Sequence, residues 1–352
     1  MNAFGKIILL SVILWWAAGC NRSYNVFNGT FRHESYSDTI DLLTAQPVDI
    51  DVLGFKVLWI EDALLFVAMY QDPEKLLSIY SLDDYRLIYD GLILKGNGPS
   101  EHINIEFVSS YTDSSGVKIW LTVDYLRKLL CIDATRSIID KKIVIIKEYD
   151  LSSLEDFFAL HYVFVQSDSS FVLMRGYNNY QISTYNPVSQ QERLIGWMYK
   201  KDIERHNITD IGAGSIYESE NSILISGMSF FNQINFYFLK QPENSFSIST
   251  VKEATHYNQV LKVEEVGKRP RYYGAACCRA NELFVFSYLG GKNIVESNSP
   301  EDNYLHIIDI NGKLHRIDKL NKSFAAQAFD IRTGYLYGID AETWDIIKYK
   351  IR

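Results

Sequence analysis

Residues 113–135 read DSSGVKIWLTVDYLRKLLCIDAT, and the punctuation of that stretch decides the fold. Asp113 to Gly116 is a turn, Lys118 to Val123 an apolar strand, Asp124 to Arg127 a second turn, and Leu129 to Asp133 a second strand. Short β-branched and aromatic runs bounded by Asp, Ser, Asn and Gly read as antiparallel strand pairs. The theme recurs as DALLFVAMYQDPEKLLSIYSLDD from Asp62, DSSFVLMRGYNNYQISTYNPV from Asp168 and ENSILISGMSFFNQINFYFLKQP from Glu220. A fifth copy, ANELFVFSYLGG from Ala280, resumes at NYLHIIDINGK, and a sixth, TGYLYGIDAETWDIIKYKIR, starts at Thr333. Spacings of roughly 40–60 residues suit the blades of a β-propeller, whose period is about 40–50.

Each copy reads as the two middle strands of a four-stranded blade. The strand before it lines a channel and the strand after it forms the outer edge. The sixth copy has no strand after it, so residues near Thr39 to Ile50 are expected to supply that edge. Such closure removes exposed strand edges. The expectation is an all-β, six-bladed propeller of four-stranded antiparallel blades over residues 36–352, closed by an N-terminal strand. The helical candidates are short: Leu151 to Phe158 and Lys200 to His206.

The first residues read as a processing signal. Lys6 precedes an apolar run, Ile7 to Trp16, and Ala17-Ala18-Gly19-Cys20 closes it with small residues before a cysteine. The run is short for a membrane span, and small residues suit a signal peptidase. The pattern resembles the bacterial lipobox, with Ala17 where that motif usually has leucine. The resemblance implies a signal peptide over 1–19, acylation of Cys20, a lipidated tether over 20–35 and a membrane partner reached through lipid. The alternative is plain secretion with cleavage near the same place.

The chain carries a formal net charge of −8, which becomes −9 once residues 1–19 and their single charge, Lys6, are removed. With no basic block, nucleic acid is an unsuitable partner. Besides Cys20 there are Cys131, Cys277 and Cys278. They form no disulfide framework and no zinc-ligand spacing, and the oxidation state of the adjacent pair stays open. The seven histidines are scattered, so no metal or cofactor is expected.

The segment Lys95-Gly96-Asn97-Gly98-Pro99-Ser100-Glu101 resembles the Gly-x-Gly-Pro-Gly-Glu-Phe turn after the first blade of TolB-like six-bladed propeller lipoproteins of Bacteroidetes. The C-terminal GYLYGIDAETWDIIKYKI resembles the last blade of that family. Ser100 and His102 stand where the family often has Gly and Phe. The resemblance implies an envelope lipoprotein and carries over no catalytic residue. Gly96 and Gly98 lack the Lys-Ser/Thr of a phosphate loop and read as a turn. Asp113 to Trp120 looks like a sialidase box but is misspaced, and reads as a hairpin with a core tryptophan.

In a propeller, the connections that enter the channel-lining strands ring one mouth. Here they contain Glu106, His161, Arg271, Tyr272 and Tyr273, the last three within KRPRYYG from Lys268. Arginine grips anions and tyrosine offers an apolar body with a polar tip. The expected function is a non-catalytic binding module for an envelope protein, peptide or glycan. The rival is a glycan hydrolase, lyase or lactonase-like enzyme with its site at the channel mouth. Asn21-Arg22-Ser23 lacks the acidic run associated with surface export, which points to an outer-membrane anchor facing the periplasm.

Overall fold

Every recurring strand pair sits in the middle of its own antiparallel sheet. The computed structural model describes residues 27–35, 40–52, 54, 56–98, 100–176, 180–200, 212–252, 268–279, 283–292 and 303–351. The signal segment 1–19, Cys20 and residues 201–206 lie outside them, and so do the side chains of Cys277 and Cys278. Three short strands come first: β1 (Thr30–His33), β2 (Ile40–Leu43) and β3 (Gln46–Pro47). Blade one is β4 (Lys56–Glu61), β5 (Leu64–Met69), β6 (Lys75–Ser81) and β7 (Leu87–Lys95), with β8 (Glu101–His102) parallel to the end of β7. Blade two is β9 (Ile105–Asp113), β10 (Gly116–Val123), β11 (Lys128–Asp133) and β12 (Ile145–Asp150). Blade three is β13 (Leu160–Ser167), β14 (Ser170–Arg175), β15 (Gln181–Asn186) and β16 (Gln191–Trp197).

Blade four is β17 (Gly212–Glu218), β18 (Ile223–Met228), β19 (Ile234–Phe238) and β20 (Phe246–Ser249). Blade five is β21 (Arg271–Arg279), β22 (Leu283–Lys292), β23 (Tyr304–Asp309) and β24 (Leu314–Leu320). Blade six is β25 (Phe324–Asp330), β26 (Tyr335–Asp340) and β27 (Ile346–Lys350), completed by β3. The expected closure is present: Gln46 pairs with Lys348 and Pro47 with Ile347, and the Val48 amide donates to Ile346 O at 3.0 Å.

The N-terminal segment does more than close blade six. Phe27 bridges Tyr199 beside blade three, β1 runs parallel to β20, and β2 runs parallel to β24. Blades four and five therefore hold five strands, and blade one holds five through β8, where four were expected. Residues 27–33, within the stretch read from the sequence as tether, lie against blades three and four. The gain is physical: each added strand satisfies the outer N–H and C=O row of a blade.

Six apolar clusters fill the six seams between neighbouring blades. One holds Phe66 and Ala68 of β5 against Ile119 and Leu121 of β10. The alternate residues Leu65, Val67 and Met69 face the opposite seam, with Tyr337 and Ile339 of blade six. Both faces of a middle strand are thus buried, so these strands read as nearly unbroken apolar runs. Trp120 packs edge-on against Phe171 across the seam between blades two and three, at 6.0 Å.

Among the described residues the α-helix falls elsewhere than Leu151 to Phe158. Helix α1 (Ala134–Asp140) follows β11, and Asp133 caps it by accepting from the Arg136 amide at 2.9 Å. Residues 151–158 instead lead into a single tight turn, Phe157–Ala159. Among the described residues no helix is long and apolar enough to cross a membrane.

Candidate functional site

Each blade is an up-and-down meander of four strands starting at the axis. An even number of strands returns the chain to the face from which it began, so all six innermost strands run the same way. Their first residues therefore share one face, the leading face. Glu106 is second in β9, His161 second in β13, and Arg271, Tyr272 and Tyr273 open β21.

A cavity of about 370 Å³ lies on the axis. Five innermost strands line it: β4 gives Trp59, β9 gives Glu106 and Phe107, β13 gives Tyr162 and Phe164, β17 gives Ser215 and Tyr217, and β25 gives Gln327 and Phe329. An innermost strand turns its edge to the axis, so consecutive residues such as Glu106 and Phe107 both border the space. The rings are coupled within β13 and across two blade seams. Trp59 stacks on Phe107 at 5.6 Å, Tyr162 on Phe164 at 5.9 Å, and Phe164 meets Tyr217 at 6.0 Å. A second space of about 490 Å³ shares Val108, Ser109, Ser110, Phe164 and Tyr217 with the first and runs toward the far ends of β9 and β13, at Asp113 and Asp168.

Glu106 is the one charged residue among those lining the axial cavity. Its side chain is accessible from the channel while protein surrounds it on most sides, and this desolvation raises its carboxyl pKa. Tyr70 donates to Ile105 O at 2.6 Å, and burial followed by the Glu106 charge pushes its phenol up to about 12. Tyr162 is raised in the same way, first by burial and then by Glu106.

The other sequence-predicted residues do not line this cavity. His161 packs its ring against Tyr180 at 5.7 Å, and burial lowers its pKa. Arg271 places its guanidinium 5.9 Å from the ring centre of Phe230, in the connection between β18 and β19, and its Nε is buried without a hydrogen-bond partner. Tyr272 is anchored by its amide, which donates to Ser229 O at 2.7 Å. Tyr273 is buried, with its hydroxyl 3.2 Å from Nδ1 of His306. Trp59, Phe107, Tyr162, Phe164, Tyr217 and Phe329 were not singled out from the sequence. Their signal was an aromatic residue in the strand preceding a repeat copy, which is also how an ordinary core residue reads.

Among the described residues no three His, Cys, Asp or Glu side chains converge as metal ligands. Gly96 to Gly98 leave the end of β7 as bends, and Gly98 donates its amide to Glu101 Oε2, at the start of β8, at 2.9 Å.

Comparison with known proteins extends the fold and not the function. The chain is similar to a member of the DUF4221 family from Bacteroides vulgatus, with a TM-score of 0.58 and 12% identity over 89% of this chain and 97% of that one. It is similar to a candidate exported protein from Bacteroides fragilis, with a TM-score of 0.53 and 13% identity over 91% of this chain and 99% of that one. At such identities the likeness shows the propeller alone. No protein-family model matches the sequence, and no curated protein matches it.

Proposed function

We propose that this chain is an exported binding module of the bacterial cell envelope, a lipoprotein of TolB-like type held through Cys20 in the outer membrane and facing the periplasm. It takes its ligand into the axial cavity. Glu106 touches the ligand, while His161, Arg271 and Tyr272, at the starts of β13 and β21, shape the leading mouth around it; Tyr273 is buried behind them in the seam between blades four and five. The observation that carries this reading is the cavity itself: a concave, ring-lined space with few polar groups is the usual form of a small-ligand site. Binding is favoured over glycoside hydrolysis because that chemistry uses two carboxylates flanking one bond, and Glu106 is the one carboxylate on the described lining. The exported character of the Bacteroides fragilis neighbour accords with an envelope location.

The test is a panel of short peptides, oligosaccharides and alkylamines, scored by the rise each causes in the melting midpoint. Ser109 borders both spaces, so Ser109→Trp fills the cavity. The expected result is that a compound stabilising the wild type no longer stabilises Ser109→Trp, whose own midpoint stays close to wild type. Equal stabilisation of both proteins would place the ligand elsewhere and overturn the reading.

A further inference from the structure

The polar groups of the axial cavity are not equally free. Gln327 is the one side-chain amide on the lining, and blade one consumes it: Oε1 accepts from the Leu58 amide at 2.7 Å and Nε2 donates to Lys56 O at 3.3 Å. Ser110 accepts from Trp59 Nε1 at 2.8 Å and donates to Glu61 Oε2 at 2.5 Å. Ser215 donates to Ser226 Oγ at 3.2 Å. Glu106, by contrast, makes no hydrogen bond or ion pair with a described residue, and no neighbouring cation offsets its desolvation. The cavity therefore offers a ligand one free negative charge, a few hydroxyls and a set of aromatic rings.

From this juxtaposition we infer that the axial cavity receives the ammonium group of an organic cation, seated against Glu106 among Trp59, Phe107, Tyr162 and Phe164. The inference rests on the reading of the cavity as a ligand site and names the chemistry of that ligand. A ring face carries the negative lobe of its quadrupole, so rings and carboxylate attract a cation together. An anion meets repulsion from both. A neutral glycan is recognised through several free planar amides and carboxylates, and here the amide is taken and one carboxylate remains. The raised pKa of Glu106 agrees in direction: its side chain is exposed to the channel, yet the protein around it partly desolvates the carboxylate, which a positive partner would offset. The net charge of −8 draws cations toward the molecule at long range. An ammonium group reaches such a site either as a free amine or as the lysine side chain of a peptide.

The experiment titrates the full-length protein in non-ionic detergent with four probes: n-butylammonium, the peptide acetyl-Gly-Lys-Gly-amide, n-butanol and maltotriose. Intrinsic fluorescence is the readout, with Trp59→Phe identifying the part of the signal that comes from the cavity. The expected result is saturable binding of an ammonium probe, weaker by about tenfold in Glu106→Gln, with n-butanol silent. Whether the amine or the peptide binds more tightly tells the two sources apart. Glu106→Gln must keep the wild-type melting midpoint, and Glu106→Asp, which retains the charge, should bind between the two. Equal ammonium binding by wild type and Glu106→Gln overturns the inference. Saturation by maltotriose with both ammonium probes silent overturns it too, while leaving the cavity a ligand site. Silence of all four probes overturns both.

Discussion

Pro47 and Ile347, 300 positions apart in the numbering, stand opposite each other in the antiparallel pair that closes the propeller. The register places Val48 next in line, where its side chain is buried in the seam between blades six and one. The ring is thus locked by residues that lie near opposite ends of the folded chain.

Val48 tests that lock. A carboxylate in this apolar seam has no partner, so Val48→Asp should destabilise the protein by roughly 3 kcal/mol or more. Its neighbour Asp49 is exposed, and Asp49→Ala should stay within about 0.5 kcal/mol of wild type. Urea midpoints of the two variants decide the matter. Equal midpoints would mean that the N-terminal strand adds no stability.

Asp133 has two tasks. One oxygen caps α1, and the other lies 3.2 Å from Lys118 Nζ, with both side chains buried. Asp133→Ala removes the cap and takes the buried carboxylate away from a buried ammonium that keeps Ser115 Oγ at 2.8 Å, Gly116 O at 3.2 Å and Asp113 at 3.5 Å, at a cost of about 2 kcal/mol. Asp133→Asn keeps a capping oxygen and should cost less. Combining Asp133→Asn with Lys118→Met should recover most of the loss in a denaturant titration. A double variant as unstable as Asp133→Ala would show that charge pairing is not the source of the effect.

His306 makes stability depend on pH. Its ring stacks on Tyr288 at 4.2 Å, and burial pushes its pKa down to about 3. The unfolded chain protonates a histidine near pH ~6.5. Between those values the unfolded state holds the extra proton, so the contribution is complete above about 6.5 and falls as the pH drops. The slope approaches ~1.4 kcal/mol per pH unit. Subtracting the urea stability of His306→Leu from that of wild type at pH 7, 6 and 5 isolates it. A difference that does not change with pH would show that His306 is protonated alike in both states.

Cys20 carries the anchor proposal. Cells fed labelled palmitate should label the wild-type protein, and Cys20→Ser should take up no label and leave the membrane fraction. Unlabelled wild type, together with membrane-bound Cys20→Ser, would remove lipid anchoring from the account.

Much of this molecule is legible in one dimension because a blade is mostly a local object. Consecutive strands pair through short turns, so 113–135 and its copies announce themselves by alternating apolar runs and Asp, Ser or Gly turns. The shortage of a final edge strand could also be read, because a sheet edge must be covered. The helix at Ala134–Asp140 was missed although Asp133 is a good capping residue, since an aspartate after a strand also reads as a turn.

The tertiary structure alone decided the rest. Whether Phe107 or Tyr162 packs in a seam or borders the axis depends on six strand edges meeting when the ring closes, and no local periodicity encodes that meeting. That Gln327 is spent on blade one, and Glu106 left free, depends on contacts between positions more than 200 residues apart in the chain. The sequence determined that there would be blades and a closing strand. Only closure of the ring decided which carboxylate would face the cavity without a partner.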